Sequence, residues 1–204
     1  MNFYDRYLLP TLLDLACSLP AIARQRSRVV PQARGRVLEV GFGSGRNLPH
    51  YGEGVRELLA LDPHPGFARM VRRRSRHLGF PVTSLQLAGE GIELDDASVD
   101  DVVMTYTLCS VDEPTQVLDE IRRVLRPGGR LLLAEHGAAP QTRVRHWQDR
   151  LTPTWRKIAG NCHMNRDTAA QLAAAGWSTD ELQHDYVPGP RVLCYNSWGV
   201  SHPR

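Results

Sequence analysis

The sequence predicts an α/β protein with a doubly wound, mostly parallel sheet, helices on both faces and a closing antiparallel hairpin. Three observations predict it. Short runs rich in Val, Leu and Ile alternate with longer segments whose apolar residues recur at helical spacing, the pattern of strand–helix–strand units. The first such run, Arg36–Val40, passes straight into Gly41-Phe-Gly-Ser-Gly45. The last two strand-like runs are joined by Pro188-Gly189-Pro190, too short a link for a helical crossover, so they must be antiparallel.

Residues 2–18 read as an amphipathic helix whose apolar stripe is Tyr4, Leu8, Leu12, Leu15 and Leu19, interrupted by Pro10 and ended by Pro20. A short helix follows over 21–30. Five strands come next in order: Arg36–Val40, Glu57–Leu61 (closed by Asp62-Pro63), Val82–Leu87, Val99–Tyr106 and Arg130–Glu135. The helix between the second and third carries Phe67, Met70, Val71 and Leu78, with arginines on its other side. The helix between the fourth and fifth aligns Val117, Ile121, Val124 and Leu125, and Pro127-Gly128-Gly129 turns the chain into the fifth strand. Residues 141–158 and 166–175 are helical, Asn165 being a good N-cap and Gly176 a C′ glycine for the second. The hairpin strands lie near Trp177–Tyr186 and Arg191–Val200.

Composition narrows the function. With 204 residues, 42% hydrophobic and 23% charged, the chain is that of one globular domain and not of a disordered segment. A net charge of +3 demands no acidic partner. The arginine group Arg69, Arg72, Arg73, Arg74 and Arg76 lacks interleaved aromatics and reads as a solvated helix face, so nucleic acid is not an expected partner. The cysteines Cys17, Cys109, Cys162 and Cys194 lie far apart without a CxxC pair, so neither a zinc site nor a disulfide framework is expected; they read as reduced thiols of a cytoplasmic protein. The N-terminus shows no secretory signal, and the apolar stretch Leu8–Ile22 is broken by Pro10, Asp14 and Pro20, too short and too interrupted to span a bilayer.

The glycine loop carries the chemistry. A strand ending in Gly41-x-Gly43-x-Gly45 lets the backbone turn tightly and approach a ligand whose space a side chain would fill. The dinucleotide fingerprint is GxGxxG; here the third glycine comes one residue early and Arg46 holds its usual place, which disfavours a dinucleotide reductase. Glu39 adds a carboxylate just before the loop.

On these residues the chain resembles the class I S-adenosylmethionine-dependent methyltransferases. Val37-Leu-Glu-Val-Gly-Phe-Gly-Ser-Gly45 matches their first motif, Asp62 the acidic residue closing strand two, Ser98-Val-Asp-Asp-Val-Val103 the strand-four motif and Leu125-Arg-Pro-Gly-Gly-Arg-Leu131 the turn into strand five. The resemblance implies a Rossmann-like, seven-stranded sheet and S-adenosylmethionine as cofactor, with S-adenosylhomocysteine as product. It assigns Glu39, Gly41, Gly43 and Gly45 to the methionine end and Asp62 to the ribose hydroxyls. Leu61 and Pro63 would flank the adenine, and Thr107 would join the cofactor contacts. The family often places an aspartate after strand three for the adenine amine; here Ala88-Gly89-Glu90 stands there, leaving Gly89 and Glu90 as substitutes. Base-methylating relatives carry an Asn/Asp-Pro-Pro-aromatic segment after strand four, whereas this chain has Thr105-Tyr-Thr-Leu108.

Tyr4-Asp-Arg-Tyr-Leu-Leu-Pro10, Thr107-Leu-Cys-Ser-Val111, Ala134-Glu-His136 and Gly160-Asn-Cys-His-Met-Asn-Arg166 are similar to the small-molecule branch that includes alkyl-thiol methyltransferases and bacterial phospholipid or quinone methyltransferases. The implied reaction is methyl transfer to a small, apolar thiol or amine. The alternatives are a lipid headgroup or quinone-like ring, or a non-catalytic partner protein that keeps the cofactor pocket. Eukaryotic members carry a longer N-terminal membrane segment that this sequence does not show, so the expected location is the cytoplasm, with weak attachment to anionic membranes through 1–30 as the other possibility. One methyltransferase domain over 1–204 is expected, comprising a helical lid (1–30), a cofactor core (36–136) and acceptor-side helices with the terminal hairpin (137–204).

The acceptor side follows from the crevice at the carboxyl ends of the strands. His136 is the candidate base, because histidine titrates near neutral pH; a hydrogen-bonded core histidine is the alternative. Cys109 lines the pocket or packs. Asn161 and His163 close over the acceptor or cap the following helix. Tyr4 and Tyr7 belong to the lid or to helix packing. No metal ligand set is read from the sequence, which leaves the oligomeric state open too.

Overall fold

A computed structural model describes residues 4, 8–62, 67–75, 78–85, 87–88 and 91–204. Seven strands form one sheet: β1 (Gly35–Val40), β2 (Val55–Leu61), β3 (Val82–Leu85), β4 (Val99–Thr105), β5 (Leu125–His136), β6 (Leu182–Tyr186) and β7 (Tyr195–Ser201). Their spatial order is β3-β2-β1-β4-β5-β7-β6. The first five are parallel, and β7 inserts antiparallel between β5 and β6. Residues 87–88 pair with 91–92 in a separate short ribbon.

The inner strands are apolar on both faces because helices cover both. Alternate residues divide between two cores. Leu38, Leu59, Val102, Met104, Leu131 and Leu133 pack with Leu118 and Ile121 of α4 (Pro114–Val124) and with Leu172 of α6 (Thr168–Ala174). Val37, Leu58, Val103 and Leu132 face the other way, toward Val29 of α2 (Pro20–Val29). Each fully buried leucine contributes roughly 1.5–3 kcal/mol relative to exposure. The connections reverse direction between β1 and β4, and at such a switch point the carboxyl ends of the strands open a crevice.

Several local expectations change. Pro10 is the second residue of α1 (Leu9–Cys17), where the first helical turn needs no amide donor. The stripe Leu8, Leu12, Leu15 and Leu19 faces outward, 48–66% exposed, while Leu9 is buried and Leu13 and Cys17 are partly covered. The N-cap of α6 is Asp167, whose carboxylate accepts the Ala170 amide; Asn165 donates instead to Asp149. Trp177 lies outside β6 and bridges to Pro203, and the hairpin turn runs from Val187 to Cys194. The strand after α4 starts at Leu125, with Gly128 inside it at φ +80°. Arg74, in α3 (Ala68–Arg74), is no solvated surface residue: it reaches Asp14 and the Ser44 carbonyl. Arg76 lies outside the described residues.

Candidate active site

The glycine loop leaves β1 with Gly41 and Gly43 at φ +77° and +54°, conformations that L side chains avoid. The two glycines answer different needs. A Cβ on Gly41 would lie 2.0 Å from Thr107 Oγ1, so this position is reserved by the protein's own packing. On Gly43 a Cβ would meet nothing nearer than 3.9 Å, which leaves the loop's concave side open for a ligand. The Gly43 amide donates to Asp62 Oδ2 at 2.6 Å, drawing the loop onto the end of β2.

Glu39 sits behind the loop, 1% exposed. Its carboxylate accepts from Asn47 Nδ2 at 2.9 Å and the Tyr51 hydroxyl at 2.6 Å. Burial pushes its pKa up to about 8, against the pull of those two donors and of Arg26. Arg26, from α2, is itself buried and lies 5.2 Å from the Tyr106 ring centre. Tyr106, the residue after β4, has φ +54°, a conformation uncommon for an aromatic residue, and its hydroxyl donates to Asn196.

The segment after β4 is anchored by Glu135, which is fully buried in β5. The Thr107 and Leu108 amides donate to its Oε1 at 2.7 and 3.0 Å, and the Cys109 amide to its Oε2 at 3.4 Å. Arg166 holds the same segment by donating to the carbonyls of Leu108 and Val111. Asn161, at φ +63°, donates from Nδ2 to the Ser110 carbonyl and to Asp112, and His163 Nδ1 lies 3.1 Å from the Cys109 carbonyl. Asn161 and His163 thus tie the loop after α5 (Thr142–Ile158) to the loop after β4.

That tie brings Cys162 to His136. Their Sγ and Nε2 atoms are 2.9 Å apart, and the Trp155 indole donates to the same sulfur at 3.3 Å. Contact with Cys109 and burial push the Cys162 thiol up; burial alone would lower the His136 imidazole, but Cys162 and Glu135 beside it raise its pKa. His136 Nδ1 is buried without a hydrogen-bond partner.

Over the loop lies α1. Its Asp14 receives Arg46 Nε at 2.8 Å, Arg46 Nη2 at 2.6 Å and Arg74 Nη1 at 2.8 Å, and pairs with the Ser44 hydroxyl. Burial alone would raise this carboxyl, but the two guanidinium groups and Ser44 hold it well below the usual carboxylate range. The Tyr4 hydroxyl donates to the Ile158 carbonyl, joining the lid to the end of α5. Tyr7, Pro63, Gly89 and Glu90 lie outside the described residues. Asp14, Arg26, Asn47 and Tyr51 were given no site role from the sequence, and Glu135 and Cys162 entered only within motifs. Only a carboxylate or arginine inside an otherwise apolar segment hinted at the first two.

Residues 38–133 match the family model described as a methyltransferase domain. They are a methyltransferase domain. The chain is 39% identical over 164 residues to Thiol S-methyltransferase TMT1B of Homo sapiens, covering 78% of this chain and 66% of that protein. It is 36% identical over 119 residues to Phosphatidylethanolamine N-methyltransferase of Cereibacter sphaeroides, covering 56% and 58%. The chain thus spans just under two thirds of the length of the thiol methyltransferases it matches. A SAM-dependent methyltransferase from Thermotoga maritima, described as a possible histamine N-methyltransferase, superposes with a TM-score of 0.67 at 20% identity over 97% of this chain and 96% of that one, a likeness of fold. The cofactor of such a domain is S-adenosylmethionine, and the open concave side at Gly43 beside Asp62 fits it. Among the described residues no helix is long and apolar enough to cross a membrane.

Proposed function

We propose that this protein transfers a methyl group from S-adenosylmethionine to a small, apolar thiol. The cofactor supplies a methyl group already activated on a sulfonium, so the protein's task is alignment and desolvation. The Gly41–Gly45 backbone receives the methionine end, with Glu39 as the counter-charge behind it. Asp62 accepts the ribose hydroxyls, and Thr107 backs the loop through Gly41.

The observation that carries the reading is the sulfur- and imidazole-lined end of the crevice. Cys109 follows Thr107, which touches the glycine loop, by two residues, and Cys109, His136 and Cys162 meet there. A polarisable, poorly hydrated wall suits a thiol better than an amine or a phenol. His136, in contact with Cys162, is the ionisable group beside the acceptor thiol. The likeness to a thiol methyltransferase over most of the chain supports the same acceptor class. The test is incubation with S-adenosylmethionine and a panel of thiols, amines and phenols, measuring S-adenosylhomocysteine. Turnover is expected with thiols foremost; turnover with amines alone would overturn the assignment.

One observation favours a second reading, an acceptor drawn from a membrane surface. The outward row of leucines on α1 borders the lid, and Ile158, beside Tyr4, is exposed as well. Co-sedimentation with anionic vesicles, lost in a Leu12→Ser/Leu15→Ser variant, is the outcome that would support it.

A further inference from the structure

Cys109 after β4, His136 at the end of β5 and Cys162 after α5 offer three soft or borderline donor atoms, all within 4.8 Å of one another. We propose that Cys109 Sγ, Cys162 Sγ and His136 Nε2 bind a zinc ion with one coordination position open to the acceptor, and that the acceptor thiol enters this position as a thiolate. The metal site stands on geometry alone; the identity of the fourth ligand rests on the thiol-methylating function.

The donor set fits the metal. Zinc takes thiolates at about 2.3 Å and imidazole at about 2.0–2.1 Å in a tetrahedron, which sets the donor atoms roughly 3.5–3.8 Å apart. The His136–Cys162 separation of 2.9 Å would open by roughly 0.6 Å on binding. Three protein ligands with a fourth place left over is the pattern of catalytic zinc, whereas structural sites are closed by four.

Each ligand is also held by groups of its own. Glu135 fixes the Cys109 segment through three backbone amides. The left-handed turn at Asn161 and its bonds to Ser110 and Asp112 aim Cys162 inward. The Trp155 N–H can only donate, so its approach to Cys162 Sγ stabilises negative charge on that sulfur, as an outer-shell partner of a metal thiolate does.

The site gives the acceptor thiol a way to ionise at neutral pH. The thiol displaces a water from the open position and loses its proton to solvent. Its sulfur then forms a bond to the methyl carbon as the carbon–sulfonium bond breaks, that electron pair staying on the sulfur of S-adenosylhomocysteine. The product thioether is neutral and a weak ligand, so water replaces it. Zinc keeps its oxidation state throughout, and His136 serves as a ligand in place of a base.

The test uses the full chain, reduced with a phosphine, stripped with a chelator and titrated with Zn²⁺ against a chromophoric competitor, then with Co²⁺ to read thiolate-to-cobalt charge-transfer absorption. One equivalent should bind per chain. Cys109→Ser and Cys162→Ser should each weaken zinc by more than about 100-fold, since outer-shell changes alone cost 10–100-fold. Cys17→Ser and Cys194→Ser should bind like the parent, and unchanged S-adenosylhomocysteine affinity in every variant shows that each is folded. Addition of a small thiol should shift the cobalt band. Zinc affinity no greater than that of the Cys109→Ser/Cys162→Ser double variant, or a Cys109–Cys162 disulfide with no metal bound after reduction, would overturn the site. Metal binding with a band indifferent to thiols would overturn the open position. A site that binds zinc in a protein that methylates no thiol leaves the metal assignment standing and sinks the proposed function instead.

Discussion

At the scale of single residues, two carboxylates, Asp62 and Glu39, flank the glycine loop. Asp62 accepts the Gly43 amide and closes the loop, and in the proposed function it also holds the ribose hydroxyls. Asp62→Ala should weaken S-adenosylmethionine by about 2–4 kcal/mol, some thirty- to several-hundredfold, from charge-assisted hydrogen bonds of roughly 1.5–3 kcal/mol each. Calorimetry with parental affinity in the variant would defeat the assignment. Glu39, with its pKa pushed up to about 8 by burial, is mostly protonated at pH 7. A bound cation in front of it lowers that pKa, so S-adenosylmethionine binding at pH 7 should release a proton, and less of one above pH 8. Binding enthalpies in two buffers of different ionisation heat measure the release; identical enthalpies would show that Glu39 does not sense the ligand.

At the scale of elements, the Asp14 carboxylate fastens α1 to the glycine loop. Asp14 bridges α1 to Arg46 and Ser44 on the loop and to Arg74 on α3. Its depressed pKa means that the latch is complete above the ordinary aspartate range near 3.9 and is lost only as pH falls through the still lower folded value. Lid closure is therefore expected to be insensitive to pH between about 5 and 9. Asp14→Ala leaves two arginines facing each other and should open α1 at every pH. The readouts are faster proteolysis near residues 17–20 and a raised acceptor KM. Deleting residues 1–18 should impair turnover more than cofactor affinity; an equal loss of both in a folded protein would assign α1 to the cofactor site alone.

At the scale of the whole molecule, the two ends of the sheet do different work. The carboxyl end carries the crevice, and the amino end carries ion pairs. Asp101, buried in β4, receives Arg130 Nε at 2.9 Å, Arg130 Nη2 at 2.6 Å and the Arg34 amide at 2.9 Å, binding β4 to β5 and to the entry of β1. Removing one partner of such a pair costs about 3–5 kcal/mol, because the other charge stays desolvated. Arg130 retains some solvent contact, which places Asp101→Ala toward the lower end of that range. Urea denaturation should show the loss while cofactor affinity in the folded variant stays at the parental value, since the pair lies a strand length from the crevice.

The order of strands and helices, the glycine loop and the terminal hairpin were legible from residues 36–45, 62, 98–103, 125–131 and 188–190, because each depends on neighbours within a few positions. Periodicity also placed Leu8, Leu12, Leu15 and Leu19 on one face of a helix, but a period states which residues share a face and not which face turns inward; packing against Gly160 chose Leu9 and Leu13. The N-cap expected at Asn165 falls two residues later, at Asp167, whose carboxylate reaches the Ala170 amide in the first turn. The meeting of Cys109, His136 and Cys162, the latch at Asp14 and the Glu135 anchor were decided only by the tertiary structure. Their partners are separated by 26 to 60 residues, and those distances close only when β4, β5 and α5 meet and α1 lies over the glycine loop and α3. Spacing along the chain carries no record of that closure, which is why cysteines that looked unrelated in the sequence share one site in the fold.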